Sequence, residues 1–68
     1  MTFDKKLQIL LDRKGWTVNQ LAYKANLKSW SIWRWVRGLG KPSLGKLHDL
    51  CQVFGVSADV MIDDNKEL

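Results

Sequence analysis

Tryptophan and arginine side chains are concentrated in one stretch of this sequence, residues 21–38, which reads LAYKANLKSWSIWRWVRG. If residues 29–37 form a helix, each side chain is rotated by about 100° from the one before it. With Ile32 turned to the interior, this rotation turns Trp35 inward as well and leaves Trp33 at the border. The side chains turned outward are Trp30, Arg34 and Arg37. Because guanidinium groups bind anions and indole rings supply flat apolar contact, we predict that this face recognises a partner.

Two simpler interpretations of these rings stay open. In a small domain a ring can serve to cover the core, and Trp33 at the border fits this interpretation better than Trp30 does. Arg34 follows Trp30 by four residues, so its guanidinium group could stack on that ring, a contact that contributes about 0.5–1 kcal/mol at an exposed site. Such a pair either has no function beyond this surface contact or is ordered in advance for binding a partner.

Positive charge is concentrated in the first two thirds of the chain. Residues 1–46 contain ten Lys or Arg against two Asp, whereas residues 47–68 contain one Lys against five Asp or Glu. The overall charge of +4 is therefore the sum of +8 and −4. This separation predicts that one side of the protein meets a polyanion. Small basic proteins are common, however, and charge alone does not decide the matter.

Composition and the remaining reactive side chains argue against several classes of protein. A chain of 68 residues with 46% hydrophobic and 26% charged residues predicts one globular domain. A single cysteine, Cys51, forms no internal disulfide, and no apolar segment approaches the roughly 20 residues of a membrane span, so we expect a cytoplasmic protein. We interpret His48, the sole histidine, as a surface residue and Cys51 as a core residue. With no metal-ligand set, phosphate loop or nucleophile–base pair, the sequence predicts neither an enzyme nor a metal, cofactor or small-molecule site.

Apolar periodicity and capping residues predict an all-α fold, a compact bundle of five helices in which the second and third meet at a tight corner. The predicted helices span residues 2–14, 18–25, 29–37, 43–54 and 57–62. Thr17 suits the N-cap of the second helix, and Asn26 suits a left-handed residue in the tight turn that follows it. Trp16 is expected to pack inward, and Leu27 to fill the corner after the turn.

The fourth and fifth helices complete the expected core. The predicted inward stripe of the fourth helix consists of Leu44, Leu47, Leu50, Cys51 and Phe54. In the fifth helix, Val60 and either Met61 or Ile62 are expected to face inward. Residues 64–68 have no apolar anchor before Leu68 and are expected to fray.

The spacing of these helices and of several residues within them resembles the Cro and lambda-repressor-like family of DNA-binding domains over residues 3–62. In that family, the second and third helices form a helix-turn-helix. The matching positions are Thr17, Leu21-Ala22, Ala25, Leu27, Ile32, Trp35, Arg37-Gly38, Lys41-Pro42-Ser43 and Phe54-Gly55-Val56-Ser57. Asn26 stands at the turn position where the family usually has Gly, and Val18 stands where a phosphate-contacting Gln is common. Leu11 and Val36 replace an Arg and a Glu that often form a buried ion pair, so we predict that these two aliphatic side chains contact each other.

The resemblance implies that residues 1–63 form a sequence-specific, double-stranded DNA-binding domain of a bacterial or phage transcription regulator, a repressor. Its recognition helix, about 29–37, would enter the major groove, and the protein would act in the cytoplasm at the nucleoid. The implied base-reading residues are Lys28, Ser29, Trp30, Trp33 and Arg34. The implied phosphate-binding residues are Thr17, Asn19, Lys24, Arg37, Lys41, Ser43 and Lys46.

Two further points about partners follow from the resemblance. Family members commonly bind two half-sites as dimers, so a homodimer is one implied arrangement, and the residues suggested for its contact are Phe54, Val56, Val60 and Met61. The alternative function is a protein-interaction module, antitoxin-like or a regulatory partner, which uses Trp30 and Trp33 on the same scaffold, since exposed tryptophans are typical of interface hot spots. Double-stranded RNA fits less well, because its deep, narrow major groove does not admit a helix.

Overall fold

The computed structural model describes all 68 residues, which form five α-helices and no β-strand. The helices are α1 (Phe3–Lys14), α2 (Val18–Ala25), α3 (Ser29–Val36), α4 (Leu44–Phe54) and α5 (Ala58–Ile62). The predicted five-helix, all-α fold is confirmed, and each predicted boundary lies within one residue of the observed one. Thr2, Ser43 and Ser57 have extended backbones and act as N-caps, which explains the later starts of three helices. None of the helices has the length and apolar character needed to cross a lipid bilayer.

Each helix contributes one completely buried apolar side chain to the centre of the core. These five side chains are Leu7, Leu21, Ile32, Leu50 and Met61. They belong to a cluster of fifteen buried apolar residues. Helix α3 packs against both α1 and α2, and α4 packs against α2 and α5. Because burying one large aliphatic side chain stabilises a fold by about 1.5–3 kcal/mol, this shared centre holds α3 in one orientation.

The corner between α2 and α3 has the geometry that the sequence predicts. Asn26 adopts the left-handed conformation, with φ 55° and ψ 46°. The backbone N–H of Leu27 donates to the carbonyl of Ala22 at 2.9 Å and closes the C-terminal end of α2. At the other end of α2, Thr17 Oγ1 accepts from the backbone N–H of Gln20 at 3.1 Å, and Gln20 Oε1 accepts from that of Thr17 at 2.8 Å. This reciprocal capping box and the closed turn make the corner a defined unit.

Two apolar predictions have different outcomes. Leu44 was predicted to face inward, but it is 80% exposed. It lies in the first turn of α4, and burial on this helix begins one turn later, at Leu47. Trp16 is half-buried against the core as predicted, and its ring stacks on that of Phe54 with centroids 5.6 Å apart.

Lys6 is a buried cation that the sequence analysis did not predict. Its side chain is completely buried, and Nζ donates to the carbonyls of Val60 at 2.5 Å and Asp63 at 2.6 Å. These carbonyls belong to the C-terminal end of α5, where unpaired oxygens and the helix dipole attract a cation. The signal in the sequence was position, because Lys6 follows Phe3 by three residues and so shares its inward side of α1.

Both ends of the chain lie close together beside α1 and α5. Met61 is completely buried and Ile62 is 53% exposed, which decides between the two residues expected to face inward. The N-terminal amine donates to the carbonyl of Asp64 at 2.6 Å, and Leu68 packs partly buried against the core. Fraying of residues 64–68 stays a prediction about motion, which hydrogen exchange would test.

The suggested dimer contact does not match the observed core. Phe54 is 5% exposed and Met61 is completely buried, so neither side chain can reach a second copy while the core is closed. Val56 and Val60 are partly buried. The periodicity of α4 and α5 identifies apolar positions, but it does not tell whether the rest of the same chain or a second copy buries them.

Candidate nucleic-acid interface

Helix α3 presents different tryptophans to the core and to the solvent. Trp35 is 6% exposed and Ile32 is completely buried, whereas Trp30 is 62% exposed and Trp33 is 48% exposed. The exposed cations on this helix and at its end are Arg34 and Arg37. The predicted rotation of α3 is confirmed, and the lower exposure of Trp33 agrees with its predicted place at the border. We call Trp30, Trp33, Arg34 and Arg37 the outer face of α3.

The cation–π contact on the outer face joins Arg37 to Trp33; the suggested stacking of Arg34 on Trp30 is not observed. The guanidinium carbon of Arg37 lies 5.8 Å from the ring centroid of Trp33. Arg34 instead directs Nη2 to the carbonyl of Leu39 at 3.5 Å, the long limit for a hydrogen bond. This carbonyl lies just after the end of α3 and offers Arg34 an acceptor that a ring does not. Because the bond is long and exposed, little free energy holds Arg34 there, and its guanidinium group can turn to a partner.

Shallow depressions connect the outer face to the following loop and to the start of α4. One of about 350 Å³ is lined by Trp30, Trp33, Arg34, Arg37 and Leu39. A neighbouring one of about 180 Å³ is lined by residues that include Trp30, Arg34, Lys41, Ser43 and Lys46. A third, of about 320 Å³, has Lys28 and Lys46 in its wall. The structure therefore brings four of the five candidate base-reading residues into one continuous surface with four of the seven candidate phosphate-binding residues.

The candidate residues on α2 lie outside these depressions. Thr17 and Asn19 are exposed at the N-terminal end of the helix, and Lys24 is exposed near its C-terminal end. The Thr17 hydroxyl already accepts one hydrogen bond but keeps its own proton available to donate. The Lys24 ammonium lies 4.9 Å from the ring centroid of Trp16, an exposed cation–π contact that contributes about 0.5–1 kcal/mol. Ser29, the remaining candidate, is half-buried in the first turn of α3.

Two residues of the depressions were not predicted from the sequence. Leu39 is 63% exposed and extends the apolar surface of Trp30 and Trp33 into the loop. Ser31 is 7% exposed on α3 and lines the depression that contains Lys28 and Lys46. A leucine between Gly38 and Gly40 signals a turn rather than a contact surface, which is why periodicity does not detect it.

No salt bridge joins a carboxylate to the cations around the outer face, although Asp4 and Asp64 line a depression together with Lys41 at its edge. Residues 13–48 contain no Asp or Glu at all. The eight cations of this segment are Arg13, Lys14, Lys24, Lys28, Arg34, Arg37, Lys41 and Lys46. The one salt bridge in the structure lies elsewhere and joins the N-terminal amine to Glu67 at 4.0 Å. A surface of unpaired cations attracts a polyanion over several ångströms and loses little on binding, because no internal ion pair must first be broken.

The single cysteine and the single histidine, the side chains most often used in catalysis, lie away from the outer face of α3. Burial raises the pKa of the Cys51 thiol, which therefore stays protonated in the core. His48 is exposed, and its Nε2 is 3.1 Å from the Nε2 of Gln52 on the same helix. A hydrogen bond from the Thr2 side chain lowers the pKa of Asp4, which keeps that carboxylate charged beside the backbone of Gly38. Neither Cys51 nor His48 lines the three depressions of the outer face.

Comparison with known proteins agrees with this architecture. The sequence matches the helix-turn-helix family over residues 7–61, and the chain therefore belongs to that family, in its Cro/C1-type branch. This is the class of DNA-binding domains used by transcription regulators. No curated protein matches the sequence.

Among solved structures, the chain is similar to one described as the SinR protein/SinI protein complex. The two share 23% sequence identity and superpose with a TM-score of 0.86. The match covers 93% of this chain but 62% of that one, so the present chain spans less than two thirds of the matched protein's length. At this identity the likeness concerns the fold, and it confirms the lambda-repressor-like arrangement of the five helices.

Proposed function

We propose that this protein is a sequence-specific, double-stranded DNA-binding regulator of transcription that inserts α3 into the major groove. The observation that carries the proposal is the outer face of α3, which is exposed on a helix-turn-helix corner and surrounded by cations without carboxylate partners. The major groove of B-form DNA is about 12 Å wide and admits an α-helix. A helix that is fixed to the core by Ile32 and Trp35 enters such a groove without losing much flexibility.

The base-reading role falls to the start and the outer face of α3. Arg34 can make a bidentate contact to the O6 and N7 atoms of a guanine once its weak bond to the Leu39 carbonyl is released. Lys28, at the N-cap of α3, can reach a guanine or a phosphate, and Ser29 can donate or accept. Trp30 and Trp33 supply apolar surface to the groove.

Phosphate contacts would lie on both sides of α3. On the α4 side, Lys41, Ser43 and Lys46 share a depression with Arg34, and the free backbone N–H groups at the start of α4 add a partial positive charge. The candidates on the α2 side are Thr17, Asn19 and Lys24. Arg37 would contribute from the C-terminal end of α3. Contacts of this kind fix the register of a protein on DNA without reading its sequence.

A repressor is the regulatory role that we propose, because a small domain seated in the groove excludes other proteins from the same site. Half-sites of helix-turn-helix dimers are about 34 Å apart. The domain measures 28 × 22 × 20 Å, so two copies at that spacing would lie nearly in contact. Such a regulator would work at the nucleoid of a bacterium or a phage-infected cell.

Selection of binding sites from random duplex DNA, followed by a salt titration, tests this function. If about five phosphates are neutralised, the logarithm of the binding constant should fall against the logarithm of salt concentration with a slope near −4.5. Enrichment of a defined motif is expected, with half-site repeats if the protein binds as a pair. Absence of any enriched motif, or binding that does not depend on salt, would contradict the proposal.

A second candidate function is a protein-interaction module. The exposed rings of Trp30 and Trp33 favour it, and the matched structure is a complex of two proteins, SinR and SinI. Tryptophan fluorescence separates the two functions, because insertion of α3 into the major groove of DNA would quench or shift the emission of these rings. If duplex DNA leaves the emission unchanged while a protein partner shifts it, the interaction module is the better description.

A further inference from the structure

The hydrogen-bonding chemistry of tryptophan limits what Trp30 and Trp33 can read in a major groove. An indole ring has one N–H donor and no acceptor. In the groove, cytosine presents its N4 donor and adenine its N6 donor and N7 acceptor, so neither unmodified base offers an apolar group to the flat face of an indole. Thymine instead presents an acceptor, O4, next to its C5-methyl group, and guanine presents two acceptors. An indole on the DNA therefore fits the methyl edge of thymine, while guanine is left for the guanidinium group.

The positions of these residues place rings and guanidinium group around one point of α3. Trp33 and Arg34 follow Trp30 by three and four residues, so the three side chains are neighbours on the helix surface. All three line the same depression. The Arg37 guanidinium lies against the Trp33 ring, which leaves Arg34 as the unstacked guanidinium group of the outer face.

We propose that the outer face of α3 reads pyrimidine C5-methyl groups next to a guanine, with Trp30 and Trp33 on the methyl groups and Arg34 on the guanine. This inference rests on the proposed function and specifies the DNA that it recognises. The C5-methyl group occupies the same place in 5-methylcytosine as in thymine. Binding of this protein is therefore sensitive to cytosine methylation at those positions, a modification that unmethylated selection libraries do not sample.

Replacement of thymine by deoxyuridine tests the inference, because it removes only the methyl group. The probes are the selected duplex, the same duplex with each thymine in turn replaced by deoxyuridine, and versions with cytosine or 5-methylcytosine at those positions. At the contacted positions, loss of a buried methyl should weaken binding about fourfold. Methylating cytosine at the same positions should recover a similar factor.

The variants Trp30→Ala and Trp33→Ala assign the effect to the protein, with Ile62→Ala as the matched control. Ile62 is an exposed apolar residue on α5, away from the outer face, and all three side chains are exposed enough to be removed without unfolding the domain. The thymine-to-deoxyuridine ratio should fall towards one in at least one Trp variant and stay near fourfold in Ile62→Ala.

Three other results have separate meanings. Equal binding of thymine and deoxyuridine duplexes by the unmodified protein overturns the inference but leaves DNA recognition intact. An equal deoxyuridine penalty in the unmodified protein and both Trp variants also overturns it, because the methyl group then acts through the stiffness of the DNA. Failure to bind any duplex overturns the proposed function itself.

Discussion

The two sides of α3 use similar side chains for opposite purposes. On the inner side, Ile32 is completely buried and Trp35 is 6% exposed, whereas on the outer side Trp30 is 62% exposed and Trp33 is 48% exposed. Trp33 and Trp35 are two positions apart in the sequence, yet about half of the first side chain is exposed and the second is in the core. The difference shows that hydrophobicity alone does not identify the core of this helix. The rotation of each residue about the helix axis does.

Charges are also treated differently in different regions of the molecule. Lys6 of α1 is buried against α5, and its ammonium group donates hydrogen bonds to the carbonyls of Val60 and Asp63. Around the outer face, by contrast, no cation has a carboxylate partner. One region satisfies its polar groups within the fold, and the other leaves them for a partner. Substitutions in the two regions should therefore separate stability from binding.

The largest expected effect belongs to the inner side of α3. Trp35→Ala should lower the free energy of unfolding by about 3–5 kcal/mol, because the change removes a large buried ring and leaves a cavity. The total stability of a domain of this size is only about 3–10 kcal/mol. Urea denaturation followed by circular dichroism would measure the loss, and a fully or partly unfolded variant at 25 °C is an expected result.

The matched control is the tryptophan two positions earlier. Trp33→Ala should lower the free energy of unfolding by less than half as much as Trp35→Ala, because 48% of its surface is already exposed and its cation–π contact with Arg37 contributes only about 0.5–1 kcal/mol. A loss at Trp33 as large as that at Trp35 would mean that both rings support the core. The distinction between the two sides of α3 would then fail.

A slightly different test of the inner side concerns the packing of α1 on α3. Leu11 is 2% exposed and Val36 is partly buried against the same core. Leu11→Arg should cost several kcal/mol, about 3–5 kcal/mol by analogy with breaking a buried ion pair, because it leaves a buried charge without a partner. Thermal or urea unfolding measures this loss, and an unchanged melting temperature would exclude the proposed contact between Leu11 and Val36.

The double variant Leu11→Arg with Val36→Glu gives the control for that prediction. If the two positions face each other, the new carboxylate should recover part of the stability lost in the single variant. Additive losses in the double variant would indicate that the two side chains lie apart.

The sequence predicted the helices and the rotation of α3 because both depend on short-range patterns. Thr17 with Gln20, and Asn26 in the turn, determine the corner through hydrogen bonds within five residues of each other along the chain. Once Ile32 is placed in the core, burial of Trp35 follows from the 3.6-residue period. These features did not require knowledge of the other helices.

Predictions that depended on distant neighbours were less successful. Leu44 follows the apolar spacing of α4 but is 80% exposed, since the period does not say where a helix leaves the core. Lys6 is buried because the end of α5, more than fifty residues away in sequence, supplies two carbonyls. Arg34 turns to Leu39 rather than to Trp30, which depends on the path of the loop after α3. In each case a contact outside the local pattern decided the position of the side chain.

The smallest expected effects belong to the outer face, where binding rather than stability should change. Arg34→Ala should reduce affinity for the selected DNA site by about 1–3 kcal/mol and relax the preference at one base pair, while random DNA loses much less. Lys41→Ala should weaken selected and random DNA alike and make the salt slope shallower by about 0.9. Fluorescence anisotropy with both duplexes, at several salt concentrations, distinguishes the two outcomes. An equal loss on selected and random DNA for Arg34→Ala would mean that Arg34 contacts phosphate rather than a base. The base-reading residues would then be limited to Trp30, Trp33 and the first turn of α3.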